Sequence, residues 1–220
     1  MTYFPISLDL DGKPVTVVGG GSVAERRVDA LLACGAVITV ISPTVSVAIG
    51  LLVDEAKVTL LRRRYRRGDA SGAFMVLAAT DDGEVNNLVS EDGREAGILV
   101  NVADDPVRCD FILPAVIRRG DLSVAVSTGG KSPALAARVR EKLAEDFGPE
   151  YGRLLEVLGD LRGAVRQRFG DPAERKAAHY RLVDSDALRF IRDRDESGLK
   201  RCLDEILDSP SPHPESETNE

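Results

Sequence analysis

The chain has 220 residues, 43% of them hydrophobic, with 29 Lys plus Arg against 36 Asp plus Glu and a formal charge of -7. That is enough apolar sequence for a real core, as one domain with an appendage or two small domains. The acidic balance disfavours non-specific attraction to nucleic acid or to an anionic membrane surface. Cys34, Cys109 and Cys202 are scattered and form no C-x-x-C pair, so neither a disulfide framework nor a zinc site is indicated and the thiols read as reduced. The N-terminus MTYFPISLDLDGK lacks a basic segment followed by an apolar one, and no later run approaches the roughly 20 residues of a membrane span. The expectation is a cytoplasmic protein with no membrane and no nucleic-acid partner.

In chain order, β-branched runs at 14–19, 36–42, 57–61, 73–80 and 97–104 alternate with helical patterns at 22–35, 44–56 and 81–97. Continuously apolar strands separated by helices predict an α/β fold with a Rossmann-like parallel sheet covered on both faces. After Asp105 the rhythm changes to two or three strands with a turn at Arg119-Gly120-Asp121. Ser132-Pro133 then reads as the N-cap and first residue of a helix. From about Glu150 only helices are suggested, by YGRLLEVLGDLRGAVRQRF, by DPAERKAAHYRLV, with Asp171 as N-cap and Glu174 completing a capping box, and by DSDALRFIRDR. The proline-bearing tail DSPSPHPESETNE predicts disorder.

Gly19-x-Gly21-x-x-Ala24 follows an apolar strand and opens a helix, the context that turns a weak glycine pattern into a dinucleotide fingerprint. The glycines permit a tight turn and let a pyrophosphate sit on amide groups at the helix N-terminus, which Ser22 is placed to cap. The acid expected about twenty residues further on is missing at Ile41-Ser42-Pro43-Thr44, so the residues alone do not choose NAD over NADP. The absence of Arg and Lys there disfavours a 2′-phosphate. AATDD (78–82) and NVADD (101–105) end the fourth and fifth strands, where ligands of open α/β sheets lie. Asp81 at a strand-to-helix junction is equally an N-cap. Asp104 and Asp105 precede no evident helix and are the better candidates for chemistry.

RRRYRR (62–67) sits at a strand end and reads as a solvated sheet edge. AVSTGGKS (125–132) loosely fits a phosphate loop, but no later strand supplies the acid that holds Mg2+ in such sites. His179 and His213 lie in different contexts, so a protein-built metal site is not expected.

VVGGGSVAERR, AATDDGEVNN, NVADDPVRCDFILPAVIRRGDLSVAVSTGGKSPALAARVREKL and the helical C-terminus, together covering roughly residues 3–205, resemble the precorrin-2 dehydrogenase/sirohydrochlorin ferrochelatase family, also the N-terminal half of bifunctional sirohaem synthases. The resemblance implies NAD-dependent oxidation of precorrin-2 to sirohydrochlorin, and in many members insertion of Fe2+, with Fe2+ or Co2+ as substrate rather than resident metal. It implies a NAD-binding Rossmann domain (1–112), a dimerisation segment (113–149) that makes a homodimer, a helical domain (150–208) and a disordered tail (209–220).

The aspartate that serves both activities in the family matches Asp104, with Asp105 second. A carboxylate there accepts the proton shed on oxidation, or the pyrrole protons lost on metal insertion. Cofactor contacts carry over to Gly19 and Gly21, to Ser22 and Val23 at the phosphates, to Pro43 and Thr44 at the adenosine end, and to Thr80, Asp81, Asn101 and Val102 along the nicotinamide. A substrate with eight carboxylates implies a local cationic surface, for which Arg118, Arg119 and Lys131 are candidates, with Ser132 at a helix N-terminus and Thr128, whose hydroxyl suits either a carboxylate or a turn contact. The rival reading is a noncatalytic NAD-sensing regulatory module. It needs no acid beside the nicotinamide, so Asp104 favours the enzyme.

Overall fold

A computed structural model describes residues 3–209, so from residue 210 the tail predicted as disordered, His213 included, lies outside the described residues. The chain forms two compact units: residues up to Leu113 joined by Gly129–Lys131, and Pro114–Thr128 with the chain from Ser132.

In the first unit β1 (Pro14–Val18), β2 (Val37–Ile41), β3 (Val58–Leu61), β4 (Met75–Ala78) and β5 (Leu99–Val102) alternate with α1 (Ser22–Leu32), α2 (Val47–Asp54) and α3 (Gly83–Glu95), except that β3 passes to β4 through a loop. The strands pair in parallel in the order β3-β2-β1-β4-β5. Both faces are apolar, which is why the sequence shows runs rather than alternation. Val15, Val17, Ile38, Val40 and Leu77 pack with Ala24, Val28 and Leu31 of α1. Val18, Ile41, Val76, Ala78 and Val100 face the other way, with Val89 of α3. Each such fully buried valine or leucine contributes about 1.5–3 kcal/mol of transfer free energy.

Helices α2 and α3 start later than their apolar patterns because the caps sit further in. Ser46, not Thr44, opens α2, its hydroxyl accepting the Ile49 amide at 3.3 Å. The capping role open to Asp81 belongs to its neighbour: Asp82 accepts the Glu84 and Val85 amides at 3.1 and 3.2 Å.

The run RRRYRR follows the edge strand β3 and is largely paired. Arg63 grips Asp69 through both guanidinium nitrogens, at 2.6 and 2.9 Å, while Arg67 reaches Glu91 and Glu95. Its tyrosine is interior: Tyr65 is 6% exposed and donates to the buried Asp92 carboxylate, which also accepts the Gly68 amide at 2.9 Å. Burial first, and the Asp92 carboxylate next, raise the tyrosine's pKa, so the hydroxyl stays a donor. Tyr65→Phe is expected to leave that carboxylate short of a partner and to cost about 1–3 kcal/mol. An unchanged urea midpoint would mean that the bond ties the loop to α3 without stabilising it.

The second unit opens with the antiparallel hairpin β6 (Ala115–Arg119) and β7 (Leu122–Val126), paired from Ala115↔Val126 to Arg119↔Leu122. Helices α4 (Pro133–Asp146), α5 (Glu150–Arg168), α6 (Pro172–Val183), α7 (Ala187–Asp193) and α8 (Glu196–Asp208) follow. No strand follows residue 126 among the described residues, so the phosphate-loop pattern at 125–132 lacks the strand it would need. Leu154, Val157, Val165, Phe169, Ala178, Leu182, Leu199 and Leu203 form the core of the helices. Ser132 and Asp171 cap α4 and α6 as predicted. The predicted helices stop short of α8, although Asp195 caps it and Leu199, Leu203 and Ile206 mark its inner face.

Candidate functional site

The chain leaves β1 toward β2 and β3, then crosses to the other side of β1 for β4 and β5. The crevice at such a reversal, outside the carboxyl ends of the strands, is where open parallel sheets bind ligands. Here that edge carries Gly19–Gly21, Ser42–Thr44, Thr80–Asp82 and Ala103–Asp105.

The three glycines do different things. Gly19 has φ 117°, and a Cβ there would overlap the Ala79 carbonyl, so its role is to let the ends of β1 and β4 meet. Gly20, which the fingerprint leaves as any residue, packs as closely: its Cβ would overlap the Thr44 carbonyl and lie 2.9 Å from Val45 Cα. Gly21 has ordinary extended dihedrals and would meet nothing within 4 Å, so its missing side chain leaves open space. Gly21 is also the N-cap of α1, and no side-chain cap bond to the helix amides forms among the described residues. The cap expected from Ser22 is therefore absent, because Ser22 is the first helical residue. An open glycine before uncapped amides at the positive end of a helix fits the pyrophosphate of a dinucleotide.

At the next strand end Ser42 is buried and donates to the Thr44 carbonyl at 2.6 Å, fixing the exposed Pro43 and Thr44 beside the glycine turn. After β4, Thr80 accepts the Asp82 amide at 3.1 Å through its hydroxyl and the Asn86 side chain at 2.9 Å through its carbonyl. Asp81 is left exposed. Asn101 and Val102 are interior, 4% and 2% exposed, so their side chains serve the strand rather than the crevice surface.

The segment after β5 is a loop closed at its base. Asp110 exchanges bonds with Val100, its carboxylate taking the Val100 amide at 2.9 Å, and Asn101 donates to the Phe111 carbonyl at 2.9 Å. The Cys109 sulfur lies 3.2 Å from both backbone atoms of Val102. At the tip the two aspartates separate. Asp105 precedes a 3-10 turn at Pro106–Arg108, unforeseen in the sequence, and its carboxylate pairs with Arg108. Asp104 is exposed, in the left-handed region at φ 60°, and has no hydrogen bond or ion pair among the described residues. Asp and Asn tolerate that conformation better than other side chains.

Arg27, in the second turn of α1, is a residue the sequence reading missed. Burial of its guanidinium lowers its pKa most, Arg26 adds to that, and Cys109 and Asp104 oppose it, so it lies within the electrostatic reach of the loop. The Arg26-Arg27 pair following the glycines was the available signal. Burial raises the Cys109 thiol's pKa above its ordinary value. Cys109 is accordingly expected to be alkylated by iodoacetamide at neutral pH more slowly than a free thiol in water. Labelling at the free-thiol rate, followed by peptide mass mapping, would contradict the closed loop.

The expected cationic surface is divided. Gly129–Lys131 clusters with the first unit, a Cβ on Gly130 lying 3.8 Å from Pro106, and Lys131 is exposed without an ion pair among the described residues. In the second unit Arg119 is committed to the end of α4, donating to the Phe147 carbonyl at 2.9 Å. Arg118 on the same strand is exposed. Thr128 makes the turn contact, taking the Ser132 amide at 3.2 Å and donating to its carbonyl at 3.0 Å, while the Ser132 hydroxyl caps α4. Among the described residues no cluster of three His, Cys, Asp or Glu could hold a metal ion.

Three family models match in succession: "Putative NAD(P)-binding" over residues 6–115, the sirohaem biosynthesis protein central region over 119–145, and the sirohaem synthase dimerisation region over 150–207. The chain belongs to the NAD(P)-binding family of sirohaem-biosynthesis proteins. Among members, siroheme synthase 1 of Aeromonas salmonicida is 42% identical over 188 residues, covering 86% of this chain and 40% of that protein. Siroheme synthase 3 of Aeromonas hydrophila is 41% identical over 207 residues, covering 94% and 44%. The chain thus spans under half the length of these relatives. A solved structure of SirC, a precorrin-2 dehydrogenase, superposes with a TM-score of 0.75 at 29% identity over 93% of this chain and 98% of that one. The model described as the sirohaem synthase dimerisation region falls on the helices from 150.

Proposed function

We propose that this chain oxidises precorrin-2 to sirohydrochlorin with NAD+. The observation that carries the reading is the juxtaposition, on one sheet edge, of an open, uncapped glycine turn and a carboxylate with no hydrogen bond or ion pair among the described residues, Asp104. NAD+ would supply the hydride acceptor. Gly21, Ser22 and Val23 would hold its pyrophosphate, Pro43 and Thr44 its adenosine end, and Thr80 and Asp81 the approach to its nicotinamide.

Oxidation removes a hydride and a proton, and Asp104 takes the proton. Asp105, whose carboxylate is already engaged by the Arg108 guanidinium, is less free to reach a substrate proton. Lys131 offers a charge to the substrate's carboxylates. The same carboxylate suits removal of pyrrole protons before Fe2+ or Co2+ enters the macrocycle, and a metal-insertion assay on sirohydrochlorin tests that second activity.

The test of the main reading is anaerobic incubation with precorrin-2 and NAD+, NADP+ or neither, followed by absorbance. Sirohydrochlorin should form with NAD+ and not without a dinucleotide. Saturable NAD+ binding with no product would favour the regulatory module instead.

A homodimer in the cytoplasm is part of the same proposal. The family's dimerisation region supports it, as do Val116, Leu135 and Val139, which are 38%, 55% and 37% exposed along β6 and α4. Light scattering should give twice the chain mass of 23.7 kDa, and a monomer at micromolar concentration would contradict it.

A further inference from the structure

In the helical unit, α5 and α6 enclose a cleft of about 350 Å³ lined by Arg162, Gly163, Arg166, Arg175 and His179. Three arginines and a histidine thus line one cleft in a chain whose net charge is -7, and no carboxylate is among its lining residues in the described part of the chain.

Three other arginines of the helical unit have acids, Arg153 with Glu156, Arg168 with Asp208 and Arg192 with Glu150, whereas Arg181 on α6 has none among the described residues. Arg162 and Arg166 have no hydrogen bond or ion pair among the described residues, although like charges four apart on a helix repel. Arg175 is held in place by the Phe169 and Gly170 carbonyls, at 3.2 and 2.6 Å, both from one nitrogen. Its other nitrogens have no hydrogen bond among the described residues. Gly163, one turn before Arg166, adds no side chain to fill the space.

We propose that this cleft is a binding site for a multivalent anion bearing carboxylate or phosphate groups. Guanidinium forks match both oxyanions in two-point contacts, and several cations lining one cleft favour a ligand with more than one negative group. The inference goes beyond the dehydrogenase reading and does not depend on Asp104.

The test titrates the full chain by calorimetry with tricarballylate, a small polycarboxylate, and separately with pyrophosphate, while NMR follows the His179 imidazole. At least one probe should bind saturably and shift the His179 resonances. The probe that binds more tightly tells a carboxylated ligand from a phosphorylated one. The double variant Arg162→Gln/Arg166→Gln, at exposed positions, should weaken binding at least about tenfold while NAD+ affinity and melting temperature stay unchanged. Arg162→Lys/Arg166→Lys should recover part of it. Absence of saturable binding by both probes, undiminished binding by the glutamine variant, or unmoved His179 resonances would overturn the proposal. None of these outcomes bears on precorrin-2 oxidation, which is assayed separately.

Discussion

Asp104→Asn is expected to lower the rate of precorrin-2 oxidation by about a hundred- to ten-thousand-fold, the range associated with a positioned proton acceptor, while NAD+ affinity stays at the wild-type level. Asparagine is the right substitution because Asp104 sits at φ 60°, where Asn is at home and Ala is strained. A loss in Asp104→Ala alone would mix chemistry with a displaced loop. Asp105→Asn should cost much less, since that carboxylate already pairs with Arg108. If Asp104→Asn oxidises normally and Asp105→Asn does not, the roles are reversed and the 3-10 turn must open for catalysis. Single-turnover kinetics with NAD+ in excess separates the chemical step from binding.

The second large effect divides the glycines. Gly19→Ala is expected to destabilise the chain by about 3 kcal/mol, because the new methyl group meets the Ala79 backbone and the positive φ strains any L-residue. NAD+ binding would be lost with the fold of the turn. Gly21→Val should lose only about 1 kcal/mol from the poorer N-cap, since a Cβ there meets nothing within 4 Å beyond its chain neighbours, yet bind NAD+ at least about tenfold more weakly. Thermal melts and NAD+ titrations of the two variants side by side check this. Equal NAD+ affinity in Gly21→Val and wild type would place the pyrophosphate elsewhere.

Most of the first unit was readable because parallel strands buried on both faces leave uninterrupted apolar runs, as in TVV at 16–18 and MVLA at 75–78. Helix starts were less readable. Whether Asp81 or Asp82 caps depends on which carboxylate the chain direction aims at the amides of residues 84 and 85, and two adjacent aspartates look the same in a sequence. The separation of Asp104 from Asp105 was hidden for a similar reason. It follows from a 3-10 turn that turns one side chain toward Arg108 and a left-handed residue that leaves the other alone. Gly20 escaped notice because the fingerprint names only its neighbours, while its close contact is with Thr44, a residue on another strand end. Arg119 read as a cation for a ligand, but the α4 carbonyls use it, and of the two roles open to Thr128, a ligand carboxylate or a turn contact, it makes the turn contact with Ser132. Polar residues near turns satisfy backbone groups first, and only coordinates show which are left over.

A crystal structure with NAD+ and sirohydrochlorin tests most directly whether a dinucleotide sits on the amides of α1 with Asp104 facing the substrate. The expected result is the pyrophosphate on the amides of Ser22 and Val23 and the macrocycle between the nicotinamide and the Asp104 carboxylate. A dinucleotide bound away from the glycine turn, or a macrocycle held out of reach of Asp104, would contradict it.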